Sequence, residues 1–145
     1  MKIGMESFID QPSVSKDWGI CGLVCNQSSV IRDFTPTWQV MNSILGDRLK
    51  CFFGPQHGFV STQHYNMVET PHSIHLPTGK QVYSLYSKVR EPTEEMLAGI
   101  DTIVFDLPIT GTRIYTYKYT LAACMRAAKK FNKKVVVMDL SLIHI

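Results

Sequence analysis

Four short, nearly continuous apolar runs constrain the fold of this chain more than any other feature: Ile20–Cys25 (ICGLVC), Leu49–Phe53 (LKCFF), Thr102–Phe105 (TIVF) and Val135–Met138 (VVVM). A strand with one wet face alternates apolar and polar residues. Runs without alternation read as strands covered on both faces of a parallel sheet. Helical patterns fall between them. Thr35-Pro36 opens one as cap and first-turn proline, with Trp38, Met41, Ile44 and Leu45 on one face and Gly46 at its end. Pro92-Thr93-Glu94-Glu95 opens a short second helix that ends near Gly99. Tyr117 to about Phe131 forms a third, with Leu121, Cys124, Met125 and Ala128 at core spacing. The expected fold class is therefore α/β: a doubly wound, mostly parallel sheet with helices on both faces.

The insertion at 59–91 interrupts this rhythm and carries an extra strand or hairpin around Gln81–Tyr86 (QVYSLY). A connection this long in a compact domain usually serves function. At 145 residues, 45% hydrophobic and 19% charged, the chain has enough apolar side chains for one core and is not disordered. A formal charge of +3 is thinly spread. Its densest basic run, Lys129-Lys130 with Lys133-Lys134, suits a helix C-terminus better than a nucleic-acid surface. No stretch approaches the ~20 apolar residues of a membrane span, and the first residues lack the apolar core of a signal peptide. The expected location is cytoplasmic for the chain as it stands, with export left open if the true start lies upstream. Cys21 and Cys25 share a strand face but lie ~13 Å apart at about 3.3 Å per residue, too far for a disulfide or a shared metal. With Cys51 and Cys124 they read as buried, reduced thiols.

Ligands of open α/β sheets bind beyond the carboxyl ends of the strands. The four strands exit onto Asn26, Gln56-His57, Asp106 and Asp139. Singly, Asn26 or Asp139 could cap a turn; together the four exits mark a cleft. The stretch FDLPITGTRIYTYKYT, 105–120, adds Arg113, Tyr115, Tyr117 and Tyr119 beside Asp106, a set able to orient a sugar or a carboxylate. The competing account makes the tyrosines the buried start of a helix and Arg113 a structural partner of Asp106. Several other chemistries find no support. His72 and His75 are three apart, and His57 and His64 flank the same loop, but no Cys or carboxylate completes a zinc spacing, so no metal is expected. The turn Asn26-Gln27-Ser28-Ser29 has neither GxGxxG nor a Walker lysine, so no nucleotide cofactor is expected. A GxSxG elbow is also lacking.

The sequence resembles the N-terminal Rossmann-like domain of the bacterial NamZ (YbbC-like) exo-β-N-acetylmuramidases. The matching elements are GLVCNQSS (22–29), FFGPQHGF (52–59), VYSLY (82–86), PTEEMLAGIDTIVFD (92–106), GTRIYTYKYT (111–120) and VVVMD (135–139), in family order. The resemblance implies a glycoside hydrolase that releases N-acetylmuramic acid from the non-reducing end of peptidoglycan fragments, without a cofactor. Its partners would be peptidoglycan-derived muramic-acid saccharides. It also implies a second, C-terminal domain. On that reading residues 1–139 are an incomplete Rossmann-like domain, 140–145 (LSLIHI) a non-native tail, and the chain by itself inactive and marginally stable.

Two departures bear on mechanism. The family's Pro-Glu-His-Gly is Pro55-Gln56-His57-Gly58 here, and two polar positions after Asp106 have become Pro108 and Ile109. Glycoside hydrolysis generally uses two carboxyl groups, and an amide at Gln56 cannot give up a proton. The catalytic candidates are therefore Asp106 and Glu69, with His57 as proton partner. The substrate-binding candidates are Asn26, Gln56, Arg113, Tyr115, Tyr117 and Asp139, the last also a possible acid. The alternative is a cell-wall-sugar-binding protein that kept the cleft and lost the acid.

Overall fold

The computed structural model describes residues 3–61, 68–109 and 116–138. The candidates Arg113, Tyr115 and Asp139, together with His64 and the tail at 140–145, lie outside the described residues. Six strands form one sheet: β1 (Cys21–Val24), β2 (Leu49–Gly54), β3 (Ser73–His75), β4 (Lys80–Ser84), β5 (Thr102–Phe105) and β6 (Lys134–Val137). Their order is β3-β4-β2-β1-β5-β6. All neighbouring pairs are parallel except β3 with β4, the hairpin inside the insertion. The fold is thus the expected α/β, Rossmann-like, mostly parallel sheet.

Alternation along the central strands loads both faces. Cys21, Leu23, Cys25 and Val104 point to one face, where α1 (Gly4–Asp10) contributes Met5 and Phe8 and α2 (Thr37–Leu45) contributes Met41 and Leu45. Val24, Phe53, Ile103 and Phe105 point to the other, against Leu97, Ile100 and the Cys124–Ala127–Ala128 side of α3 (Tyr117–Lys130). The lysine inside LKCFF is accommodated by a register shift. Cys21 pairs with Leu49 and Gly22 with Cys51, so Lys50 is skipped and exposed, and its Nζ donates to the Ala98 carbonyl at 2.8 Å. All four cysteines are free and buried. Burial pushes the Cys21 thiol up to about 11 and those of Cys51 and Cys124 up to about 12. They stay protonated and unreactive at neutral pH.

Three elements differ from the sequence reading. The helix expected from Pro92 is a chain of turns over 94–99, because Gly99 takes φ +70° before more than one helical hydrogen bond, Leu97 N to Thr93 O, has closed. The helix α1 has no counterpart in the expected order; the Ile3 amide donates to Glu6 Oε2 at 3.2 Å, and Met5 and Phe8 anchor it to the core. The strand β6 lies at the edge of the sheet, half-buried at Val135 and Val136 and 46% exposed at Val137, rather than covered on both faces. Among the described residues no helix is long and apolar enough to cross a membrane.

Candidate active site

The β2 exit is a tight turn. Gly58 N donates to the Pro55 carbonyl at 2.9 Å, and His57 takes φ +70°, a left-handed conformation that costs a side-chain-bearing residue about 1 kcal/mol. Backbone positions of this kind cluster at active sites and ligand clamps. The Gln56 side chain is fixed by the opposite wall: Thr116 Oγ1 donates to Gln56 Oε1 at 2.7 Å across 60 residues of sequence. Thr116 is the N-cap of α3, yet its hydroxyl makes no capping bond and is spent on Gln56 instead.

At the β1 exit, Asn26 is engaged through both its amide oxygen and its amide nitrogen. Its Oδ1 accepts from Ser28 N at 2.9 Å and Ser28 Oγ at 2.6 Å, closing the turn, while its Nδ2 donates to Tyr117 Oη at 2.8 Å. Tyr117, 9% exposed, opens α3 and packs into the core beneath it. The structural account holds for this pair: Asn26 closes a turn, Tyr117 is the buried start of a helix, and their bond ties the β1 exit to α3. The adjacent residues Thr116 and Tyr117 thus hold the exits of β2 and β1 together. Tyr117→Phe leaves the buried Asn26 amide without its acceptor and is expected to cost about 1–3 kcal/mol, read as a lower urea midpoint.

Asp106, at the β5 exit, continues that strand's alternation onto the α2 face, away from Asn26 and Tyr117. There it borders a cavity of about 60 Å³ with Ser28, Ser29, Pro108 and Met138. Ser29 Oγ donates to the Asp106 backbone carbonyl, joining the β1 and β5 exits. The side chain is 9% exposed. Burial pushes its pKa up from 3.8 to about 6, with Thr37 pulling weakly the other way. That pull does not amount to a hydrogen bond, for Asp106 Oδ2 and Thr37 Oγ1 each lack a partner among the described residues. A protonated carboxyl is the cheaper state in such a place.

Glu69 is exposed and precedes Thr70, whose methyl group lies 3.3 Å from where a Cβ on Gly58 would stand. Thr70 therefore packs against the His57 turn, and Glu69 is its exposed neighbour in sequence. The histidine pair of the insertion is committed elsewhere. His72 Nδ1 accepts from Ser84 N at 2.9 Å, and His75 is within 2.8 Å of Thr78 Oγ1, its ring edge-on to Trp38, Phe52 and Phe59. Among the described residues no group of three His, Cys, Asp or Glu could hold a metal ion. Sequence reasoning missed Thr116, Ser29 and Thr37. A threonine directly before a helix signals a cap, and nothing local shows that its hydroxyl is diverted to Gln56.

The family model described as "Exo-beta-N-acetylmuramidase NamZ, N-terminal" matches residues 21–141. The chain is 37% identical over 118 residues to the Bacillus subtilis protein named peptidoglycan beta-N-acetylmuramidase NamZ, an alignment spanning 81% of this chain and 28% of the relative. A crystal structure of a DUF1343 family protein from Bacteroides fragilis superposes with a TM-score of 0.83 at 33% identity, over 95% of this chain and 34% of that one. A second DUF1343 protein from the same organism shares the fold at a TM-score of 0.72 and 20% identity, over 96% of this chain and 34% of that one. The chain thus spans about a third of the length of the relatives it matches.

Proposed function

Because the chain belongs to the NamZ N-terminal family of exo-β-N-acetylmuramidases, we propose that it contributes a wall of the sugar cleft in a glycosidase that releases N-acetylmuramic acid from the non-reducing end of peptidoglycan fragments. The observation that carries this reading is Asp106. A carboxyl held near pKa 6 by burial is protonated over much of the mildly acidic range and can donate to a leaving glycosidic oxygen. His57, on its strained turn, is the proton partner, and Gln56 orients the sugar through an amide already aimed by Thr116. Glu69 or Asp139 supplies the second carboxyl group, Arg113 and Tyr115 hold the substrate, and the Asn26–Tyr117 bond keeps the wall rigid.

The test grafts residues 21–138 of this chain onto the Bacillus subtilis relative in place of the matching segment. The hybrid is assayed on a chromogenic N-acetylmuramic acid glycoside, and release of the chromophore is expected. No release while the unaltered relative is active alongside overturns the reading.

Gln56 favours a second reading, binding without cleavage, because an amide stands where the family has a glutamate. In the same hybrid, Gln56→Glu is expected to change turnover by less than about threefold if Asp106 supplies the proton. A gain of about 100-fold or more, the usual contribution of a positioned acid, would support the binding reading instead.

A further inference from the structure

A groove of about 630 Å³ runs between the β4 exit and the first turns of α3. Among the described residues, only Tyr119 of the tyrosines singled out in the sequence lines it, and none given a catalytic or sugar-binding role in the proposed function does; Thr116, the residue that holds Gln56, also lines it. Its charged side chains are Lys88, Arg90, Arg126 and Glu91. Arg126 Nε is already paired with Glu91 Oε2 at 2.9 Å, which leaves Lys88 and Arg90 as excess positive charge. The Arg90 guanidinium is stacked 3.5 Å above the Tyr86 ring centre. This contact fixes the plane of the guanidinium while leaving its edge for hydrogen bonding. The floor is apolar, made by Leu85, Val89 and Ala123, and Tyr119, 65% exposed, offers a ring to one side.

An oriented guanidinium, an ammonium, an exposed aromatic ring and a methyl-lined floor suit a sugar that carries both a carboxylate and an apolar substituent. We propose that this groove is a carboxylate subsite. It would take the acid-bearing arm of a muramic-acid sugar, Lys88 and Arg90 binding the carboxylate while the ring rests beside Tyr119. The inference rests on the muramic-acid reading above and deepens it: the neutral neighbour in peptidoglycan, N-acetylglucosamine, lacks the acid arm and would gain nothing from the groove. The shared Thr116 connects the groove to the turn at Gln56, so one sugar can meet both.

The test is calorimetric titration of the 145-residue chain at low salt with N-acetylmuramic acid, its neutral methyl ester and N-acetylglucosamine 6-phosphate. The acid is expected to bind at least about tenfold tighter than the ester, the gain of one charge-assisted contact. Arg90→Gln with Lys88→Ala should reduce that preference below about twofold and leave the affinity for the ester unchanged. Lys88→Gln alone, at an exposed side chain, carries the test should the double variant lose its cooperative melt. Equal binding of acid and ester overturns the subsite and leaves the sugar-binding reading standing. Binding of neither sugar takes both down. Phosphate bound as tightly as the acid overturns the carboxylate assignment, as does a preference for the acid that survives in the variants.

Discussion

Asp106→Asn is expected to make the chain more stable above pH 6 by about 2–3 kcal/mol, and to slow the hybrid muramidase about 10²–10⁴-fold. Both effects come from one buried carboxyl. Its pKa rises from 3.8 to about 6 on folding because burial penalises the charge. Between those values the folded chain binds more protons than the unfolded one. Stability from this group is therefore full below about pH 4, falls as pH climbs towards 6, and stays low above it. An asparagine of the same shape carries no such penalty, so the gap between variant and parent should open over pH 4–6 and then level off. Urea unfolding at pH 4, 5, 6 and 8 measures the gap. A constant difference across that range would show that Asp106 does not titrate with the fold. The turnover half is read from the pH–rate profile, where loss of the alkaline limb in the variant marks the missing acid. A variant both more stable and less active is the signature of a strained functional group, whereas a purely structural Asp106 would move stability alone.

Gly54→Ala is expected to cost about 1–3 kcal/mol and to displace the Pro55–Gly58 turn. A Cβ at position 54 would stand 2.8 Å from the Phe59 amide nitrogen and 3.3 Å from both the Gly58 carbonyl carbon and the Phe59 Cα. All three are backbone atoms, so no rotamer change relieves the clash and the turn itself must move. His57 and Gly58, at φ +70° and +83°, have little room to absorb that shift. The urea midpoint should fall and N-acetylmuramic acid should bind at least about tenfold more weakly, since a displaced Gln56 no longer meets Thr116. An unchanged midpoint together with unchanged binding would show that the turn has slack that its geometry does not suggest.

The central architecture was legible in the sequence because its causes are local. Unbroken apolar runs bounded by turn signals read as buried strands, which β1, β2 and β5 are, and the register shift that expels Lys50 is the single adjustment the run LKCFF required. Trp38, Met41, Ile44 and Leu45 at helical spacing, ended by Gly46, marked α2 to within two residues, and the pattern from Tyr117 marked α3. The strand-exit rule likewise put Asn26, Gln56, His57 and Asp106 at one edge of the sheet. The short helix α1 was beyond reach, since seven residues whose N-cap, Ile3, has no capping side chain hold together only because Met5 and Phe8 find a core to enter. The turns at 94–99 show the reverse case, a good opening sequence with too few residues before Gly99 to close a helix.

Tertiary structure alone decided how the candidate site is wired. The bonds that define it span 60 residues from Gln56 to Thr116, 77 from Ser29 to Asp106 and 91 from Asn26 to Tyr117. A hydroxyl or amide carries no sequence mark of a partner so far along the chain, because that choice depends on which elements packing brings together. Packing also set Asp106 on the α2 face, opposite Asn26 and Tyr117, and so gave one carboxyl a dry pocket and a raised pKa. The residue types offered the chemistry; the desolvation that tunes it exists only once the sheet is covered.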